Sequence, residues 1–158
     1  MPASIVVRDD PRRPDVVALL ERHLAFAAQH SPPEDVHALD LTGLLGPGIT
    51  FCSARVDGVL VGVGALKELE HGHGELKSMH TAAEHRGEGH ARRVLAHLVG
   101  LARARGLTRL SLETGSMAAF APARALYAEA GFVECAPFAD YRFSPYSTFM
   151  TLRLEPAT

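Results

Sequence analysis

Residues 49–69 read ITFCSARVDGVLVGVGALKEL, two β-rich runs flanking Asp57-Gly58. Asp-Gly suits tight primed turns, whose two central residues both need positive φ, so this stretch predicts an antiparallel hairpin. The hairpin commits the chain to a sheet, but not to a purely antiparallel one. Residues 75–81 (ELKSMHT) and 108–114 (TRLSLET) read as strands enclosing a helix over roughly 88–105. Val94, Leu95, Leu98, Leu101 and Ala102 form the apolar stripe of that helix, and Gly106 stands where a C-terminal cap belongs. Such a strand–helix–strand unit requires a parallel crossover, expected right-handed.

The flanking segments complete the pattern. SIVVR (4–8) is a short β-branched strand, and after Pro14 the residues Val16, Leu19, Leu20, His23, Leu24 and Ala27 recur at helical spacing. Residues 31–48 break that helix with prolines and glycines, leave one helical turn around 34–45, and read as a connector bordering a site. EHGHG (70–74) is a loop, APARALYAEAG a short helix from near Pro122 to Gly131, and FVECAPF and STFMTLRL two last strands. The order β-α-(α)-β-β-β-α-β-α-β-β predicts an α/β (α+β) fold. Its sheet is mixed, mostly antiparallel, with six to seven strands and helices on both faces. With no repeats and no linker, residues 1–158 form one domain.

Composition excludes several function classes. A net charge of −2 gives no basic field for nucleic acid or an anionic membrane. No apolar run approaches a membrane span, and the N-terminus lacks a signal-peptide core. Cys52 and Cys135 are far apart and in apolar contexts, as expected of reduced thiols in a cytoplasmic protein. His71, His73 and His80 invite a metal reading, but His-x-His in a loop lacks clustered cysteine or carboxylate ligands, so no metal is expected.

The stretch EHRGEGHARRVL (84–95) carries the chemistry. A strand followed by a glycine turn and a helix start gathers unpaired N–H groups at the positive end of the helix dipole, which makes an anion site. Gly87 and Gly89 let backbone approach a pyrophosphate, and Arg86 adds charge. Two familiar phosphate motifs fail. The chain has no Gly-Lys-Ser/Thr for a Walker A loop, and Arg92 stands where a dinucleotide fingerprint needs its third glycine.

The stretch does resemble the signature [Q/R]-x-x-G-x-[G/A] of the GNAT acyl-CoA-dependent N-acetyltransferase superfamily, here Arg86 to Ala91. The family's second signature, A-x-x-x-Y-x-x-x-G-F, is matched by Ala123, Tyr127, Gly131 and Phe132, in the same order along the chain. The resemblance covers residues 49–154 well and the first 48 in outline. It implies acetyl-CoA as cosubstrate. The main chain of Met79, His80 and Thr81 would pair with the pantetheine arm, and the amides of Arg86, Gly87, Glu88, Gly89, His90 and Ala91 would hold the pyrophosphate. Tyr127 would sit near the thioester sulfur. The family's asparagine seven residues before that tyrosine is Phe120 here, so a polar pantetheine contact passes in part to Thr114.

Acetyl transfer to an amine moves two protons. An alkylammonium of pKa about 10.4 must lose one before it attacks, and the departing thiolate gains one. Tyr127, protonated at neutral pH, suits the acid. Glu75, Glu113 and His80 are candidate bases, Glu75 ahead of Glu113. Tyr141 and Arg142, in the irregular stretch 140–147, are candidate acceptor contacts, an arginine suiting an acidic group on the substrate. The expectation is an N-acetyltransferase acting on a primary amine of a small molecule or peptide, by direct transfer in a ternary complex. A homodimer is compatible with it. The alternatives are a non-catalytic acyl-CoA-binding regulatory module, which has no need of a phenol at the sulfur, and a nucleotide-binding switch, which the failed motifs disfavour.

Overall fold

The structure, a computed structural model, describes residues 3–155. Its seven strands form one sheet in the order β1-β2-β3-β4-β5-β7-β6. The strands are β1 (Ile5–Arg8), β2 (Ile49–Val56), β3 (Val59–Glu68), β4 (His73–Thr81), β5 (Arg109–Gly115), β6 (Val133–Glu134) and β7 (Ser147–Arg153). The helices are α1 (Pro14–His30), the single turn α2 (Leu41–Leu44), α3 (His90–Ala104) and α4 (Ala121–Glu129). The hairpin forms as expected: Val56 pairs with Val59, and the turn residues Asp57 and Gly58 have φ of 49° and 82°.

Two apolar clusters lie on opposite faces of the sheet. Val16, Leu19 and Leu20 of α1 pack with Phe51, Val63 and Ala65. Val94, Leu95, Leu98 and Ala102 of α3 pack with Cys52, Leu66, Leu110, Leu112 and Tyr127. Neighbours along a strand, such as Phe51 and Cys52, therefore serve different cores, as the period of two requires. Gly64 makes the α3 contact close. A Cβ there would come within 2.7 Å of both Met79 Sδ and Val94 Cγ1.

The sheet opens where β4 and β5 meet. They form its parallel pair, and their ladder holds only at His73↔Arg109, Gly74↔Leu110 and Glu75↔Ser111. Past Glu75, β4 stays paired with β3 on its other side alone. A bulge follows, with Val63 opposite His80 but Ala65 opposite Lys77, so that Ser78 and Met79 together face Gly64; Ser78 takes φ of 57°. Bulges bend a strand and re-aim its side chains. Here the bulge lies where the two strands have parted.

Boundaries differ from the sequence expectation by one residue at β1, β5 and β7, and further at three places. β4 begins at His73 rather than 75, because the loop pairs back through the Leu69 N–H to His73 O contact. The helix expected over 88–105 spans 90–104, with Glu88 and Gly89 left to the turn before it. FVECAPF contributes only Val133–Glu134. Cys135 N–H still reaches Phe149 O, but Pro137 has no N–H to extend a ladder.

Candidate active site

A cavity of about 730 Å³ occupies the parting of β4 and β5. Its walls come from Leu76–Thr81 of β4, the His85–Arg92 turn and helix start, Leu112–Gly115 of β5, and Phe120, Ala123 and Tyr127. Met79, His80, Thr81, Arg86, Gly87, Glu88, Gly89, His90, Ala91, Thr114 and Tyr127 all line it. Thus residues from four separated segments, expected to serve one ligand, surround one space.

The turn before α3 has the backbone geometry of an anion site. Gly87 and Gly89 have φ of 79° and 87°, a conformation costly for residues with a Cβ. A Cβ built on either meets nothing within 4 Å, so the turn is open. Gly89 is the N-cap of α3 and brings no capping side chain, so the first helical N–H groups are free for a phosphate. Arg86 stacks 5.6 Å above the ring of Phe26. Glu88 is held between His85 Nδ1 at 3.2 Å and His90 Nε2 at 3.0 Å.

Two titratable groups share the deeper part of the cavity. Tyr127, 6% exposed, lies edge-on to Phe132 with ring centroids 5.8 Å apart. Burial, reinforced by the charge of Glu113, pushes its phenol well above the ordinary tyrosine range, so it stays protonated. Burial also pushes the Glu113 carboxyl up to about 7. Phe120 lies over Gly115, where a Cβ would collide with its ring. The residue replacing the family's asparagine thus packs against the end of β5.

Glu75 lies elsewhere. It faces a neighbouring cavity of about 740 Å³, walled also by Lys77, Tyr141 and Arg142, and it does not line the first. Its carboxylate is buried and engaged: Tyr141 donates its hydroxyl to Glu75 Oε2 at 2.5 Å, and Lys77 Nζ donates to the same oxygen at 3.2 Å. Lys77 Nζ also donates to Tyr141 Oη at 2.8 Å and to His37 O at 3.0 Å. Asp35, His37 and Lys77 line both cavities and form their junction. Arg142 is exposed at the rim of the second.

His80 is differently occupied from a base. Its Nδ1 lies 3.1 Å from Nδ1 of His23, and burial pushes the two imidazoles down to about 3 and about 4. One ring must donate and the other accept, which needs at least one neutral imidazole. The histidines weighed as a metal set take different partners. His73 Nε2 meets Ser111 Oγ at 2.7 Å, while the side chain of His71 is 92% exposed.

Lys77, His37, Asp35 and Phe26 were not legible as site residues. Asp35 and His37 belong to the irregular connector, and their approach to β4 is tertiary. Lys77 had one available signal: Glu75 and Lys77, two apart on a strand, must point to the same face.

Residues 14–132 match the model of the acetyltransferase (GNAT) family. The chain is 53% identical over 146 residues to an uncharacterized N-acetyltransferase, YsnE of Bacillus subtilis, covering 92% of this chain and 97% of that one. It is 39% identical over 151 residues to an IAA acetyltransferase of Azospirillum brasilense, covering 95% and 97%. Among solved structures, a candidate acyl-CoA N-acyltransferase of Klebsiella pneumoniae superposes with a TM-score of 0.82 at 30% identity, covering 96% and 98%. A candidate acetyltransferase of Salmonella typhimurium, solved with acetyl-CoA, gives 0.71 at 20% identity, covering 98% and 95%, and speaks for the fold alone. The open glycine turn, the parted strands and these likenesses agree: the chain belongs to the GNAT acetyltransferase family.

Proposed function

We propose that the protein transfers an acetyl group from acetyl-CoA to a primary amine within a ternary complex, with Glu113 as base and Tyr127 as acid. The observation carrying this is the pairing of a carboxyl near neutrality with a phenol kept protonated, in the cavity that the glycine turn opens into. A base works best with a pKa near the working pH, and an acid must hold its proton until the bond breaks. Glu113, directly or through a water, takes the ammonium proton of the acceptor. The freed amine forms the new C–N bond as the thioester C–S bond breaks, and Tyr127 gives its proton to the departing sulfur. The turn amides of residues 86–91 and the main chain of residues 79–81 hold acetyl-CoA, with Thr114 beside it.

This reverses the preference for Glu75 over Glu113. Glu75 already accepts bonds from Tyr141 and Lys77, and it faces the neighbouring cavity. The acceptor enters through the junction at Asp35, His37 and Lys77, with Tyr141 and Arg142 walling the far side. Both cysteines are free, and no helix among the described residues is long and apolar enough to cross a membrane.

The test is acetyl-CoA consumption by the wild type, Glu113→Gln and Tyr127→Phe across polyamines, amino acids, aminoglycosides and peptide amines. IAA joins the panel because the Azospirillum relative is described as an IAA acetyltransferase. Turnover on an amine that both substitutions suppress supports the reading. Acetyl-CoA binding without turnover on any acceptor would favour the regulatory module instead.

A further inference from the structure

The turn before α3 carries donor atoms that holding a pyrophosphate does not use. His85 Nδ1 and His90 Nε2 approach one oxygen, Glu88 Oε1, at 3.2 and 3.0 Å, and the three ligand atoms lie within 4.8 Å of one another. All three side chains line the main cavity. His90 is buried, so its Nε2 is held beside Glu88 by the fold and not by a mobile surface contact. Glu88 also sets a negative charge beside amides that should receive an anion, which by itself weakens that site.

Two imidazoles and a carboxylate are a donor set for borderline first-row divalent cations. Metal–ligand bonds of about 2.0–2.2 Å place neighbouring ligand atoms about 3.3–3.5 Å apart in a tetrahedron. Two edges of that figure are nearly formed. We propose that His85, Glu88 and His90 bind a zinc-class divalent cation, with its remaining coordination open to the cavity. This departs from the expectation of no metal, which weighed His71, His73 and His80. Each imidazole ligates as the neutral tautomer, its proton on the far nitrogen. The cation turns the local charge of Glu88 from −1 to +1, so cation and pyrophosphate strengthen each other by the same factor. That coupling rests on the acetyl-CoA reading above; the cation site itself does not.

The test starts with the tag-free, metal-stripped full chain dialysed against Zn²⁺ without acetyl-CoA, bound zinc being measured by mass spectrometry. One zinc per chain is expected in the wild type, bound at least about tenfold more weakly by His85→Ala and by Glu88→Gln. Melting curves in chelator show whether the variants keep their fold, and His85→Gln replaces His85→Ala if that one does not. A wild type that binds no zinc, or folded variants that bind it equally well, would overturn the site. Acetyl-CoA, whose thioester offers no free thiol to zinc, is then titrated with and without the metal. A several-fold gain in affinity in the wild type, absent from His85→Ala, supports the coupling, and an equal response in both overturns it. Failure of acetyl-CoA to bind the metal-free wild type would count against the acetyl-CoA reading and leave the zinc result standing.

Discussion

At the scale of single residues, the proposed division of proton work between Glu113 and Tyr127 follows from how burial acts on each. Burial raises both, so the carboxyl arrives near 7 while the phenol moves away from any physiological pH. Activity needs ionised Glu113, so kcat/KM should rise with pH through about 7 and level above it; Glu113→Gln should abolish most activity and that limb together. The same shift has a stability consequence of opposite sign. Between the ordinary glutamate value of 4.5 and about 7 the folded chain holds a proton that the unfolded chain releases. Stability should therefore fall across that window, by at most about 3 kcal/mol, and the fall should be missing from Glu113→Gln. Denaturant midpoints at pH 5 and pH 8 for both proteins measure this. Tyr127→Phe keeps the ring against Phe132 and removes only the donor. We expect kcat to drop about 10²–10⁴-fold, with acetyl-CoA affinity changed less than about threefold and the melting temperature nearly constant. Steady-state kinetics with a melting curve checks it, and a kcat within about twofold of wild type would remove Tyr127 as the acid.

At the scale of elements, the turn into α3 combines strain tolerance with charge. Gly89 takes φ of 87° and a Cβ there has open space, so a substitution meets backbone strain and no clash. Gly89→Asp adds a negative charge at the helix N-terminus, where phosphates should lie. Gly89→Asn carries a similar backbone cost, asparagine being the better tolerated, without the charge. Acetyl-CoA affinity by calorimetry should fall at least about tenfold further in the aspartate variant than in the asparagine one, both remaining folded. Equal affinities would mean that no anion sits at this turn. Much of this element was legible beforehand, because glycines at a helix start have few other uses and the Arg86–Ala91 spacing is specific. The bulge at Ser78–Met79 was not. It lies opposite Gly64, whose missing Cβ leaves room for Met79 Sδ and Val94 Cγ1, a close approach that neither strand's own residues announce.

At the scale of the whole molecule, segments far apart in the chain close the second cavity. Tyr141 ties the 136–146 loop to β4 through Glu75 and Lys77, and Lys77 reaches the connector at His37 O. Tyr141→Phe removes two hydrogen bonds, to Glu75 and from Lys77, and should lower stability by about 1–3 kcal/mol and raise the acceptor KM more than it lowers kcat. Arg142→Ala, altering an exposed rim residue, should raise the acceptor KM with acetyl-CoA affinity and stability unchanged. Equal weakening of both ligands would give Arg142 a structural role instead. The sequence by itself determined the strand and helix order, the primed turn at Asp57-Gly58 and the glycine anion turn. Each is set by local backbone geometry and side-chain periodicity, which a few neighbouring residues carry. Tertiary structure decided which carboxylate borders the main cavity. Glu75 and Glu113 are alike in sequence, two glutamates on adjacent strands. Only the arrival of Tyr141 from 66 positions away and of Lys77 beside it occupies the first, while at the second burial outweighs the lowering charge of Lys77. Desolvation and hydrogen bonding depend on what surrounds a group in space, and that is set only once the chain has folded.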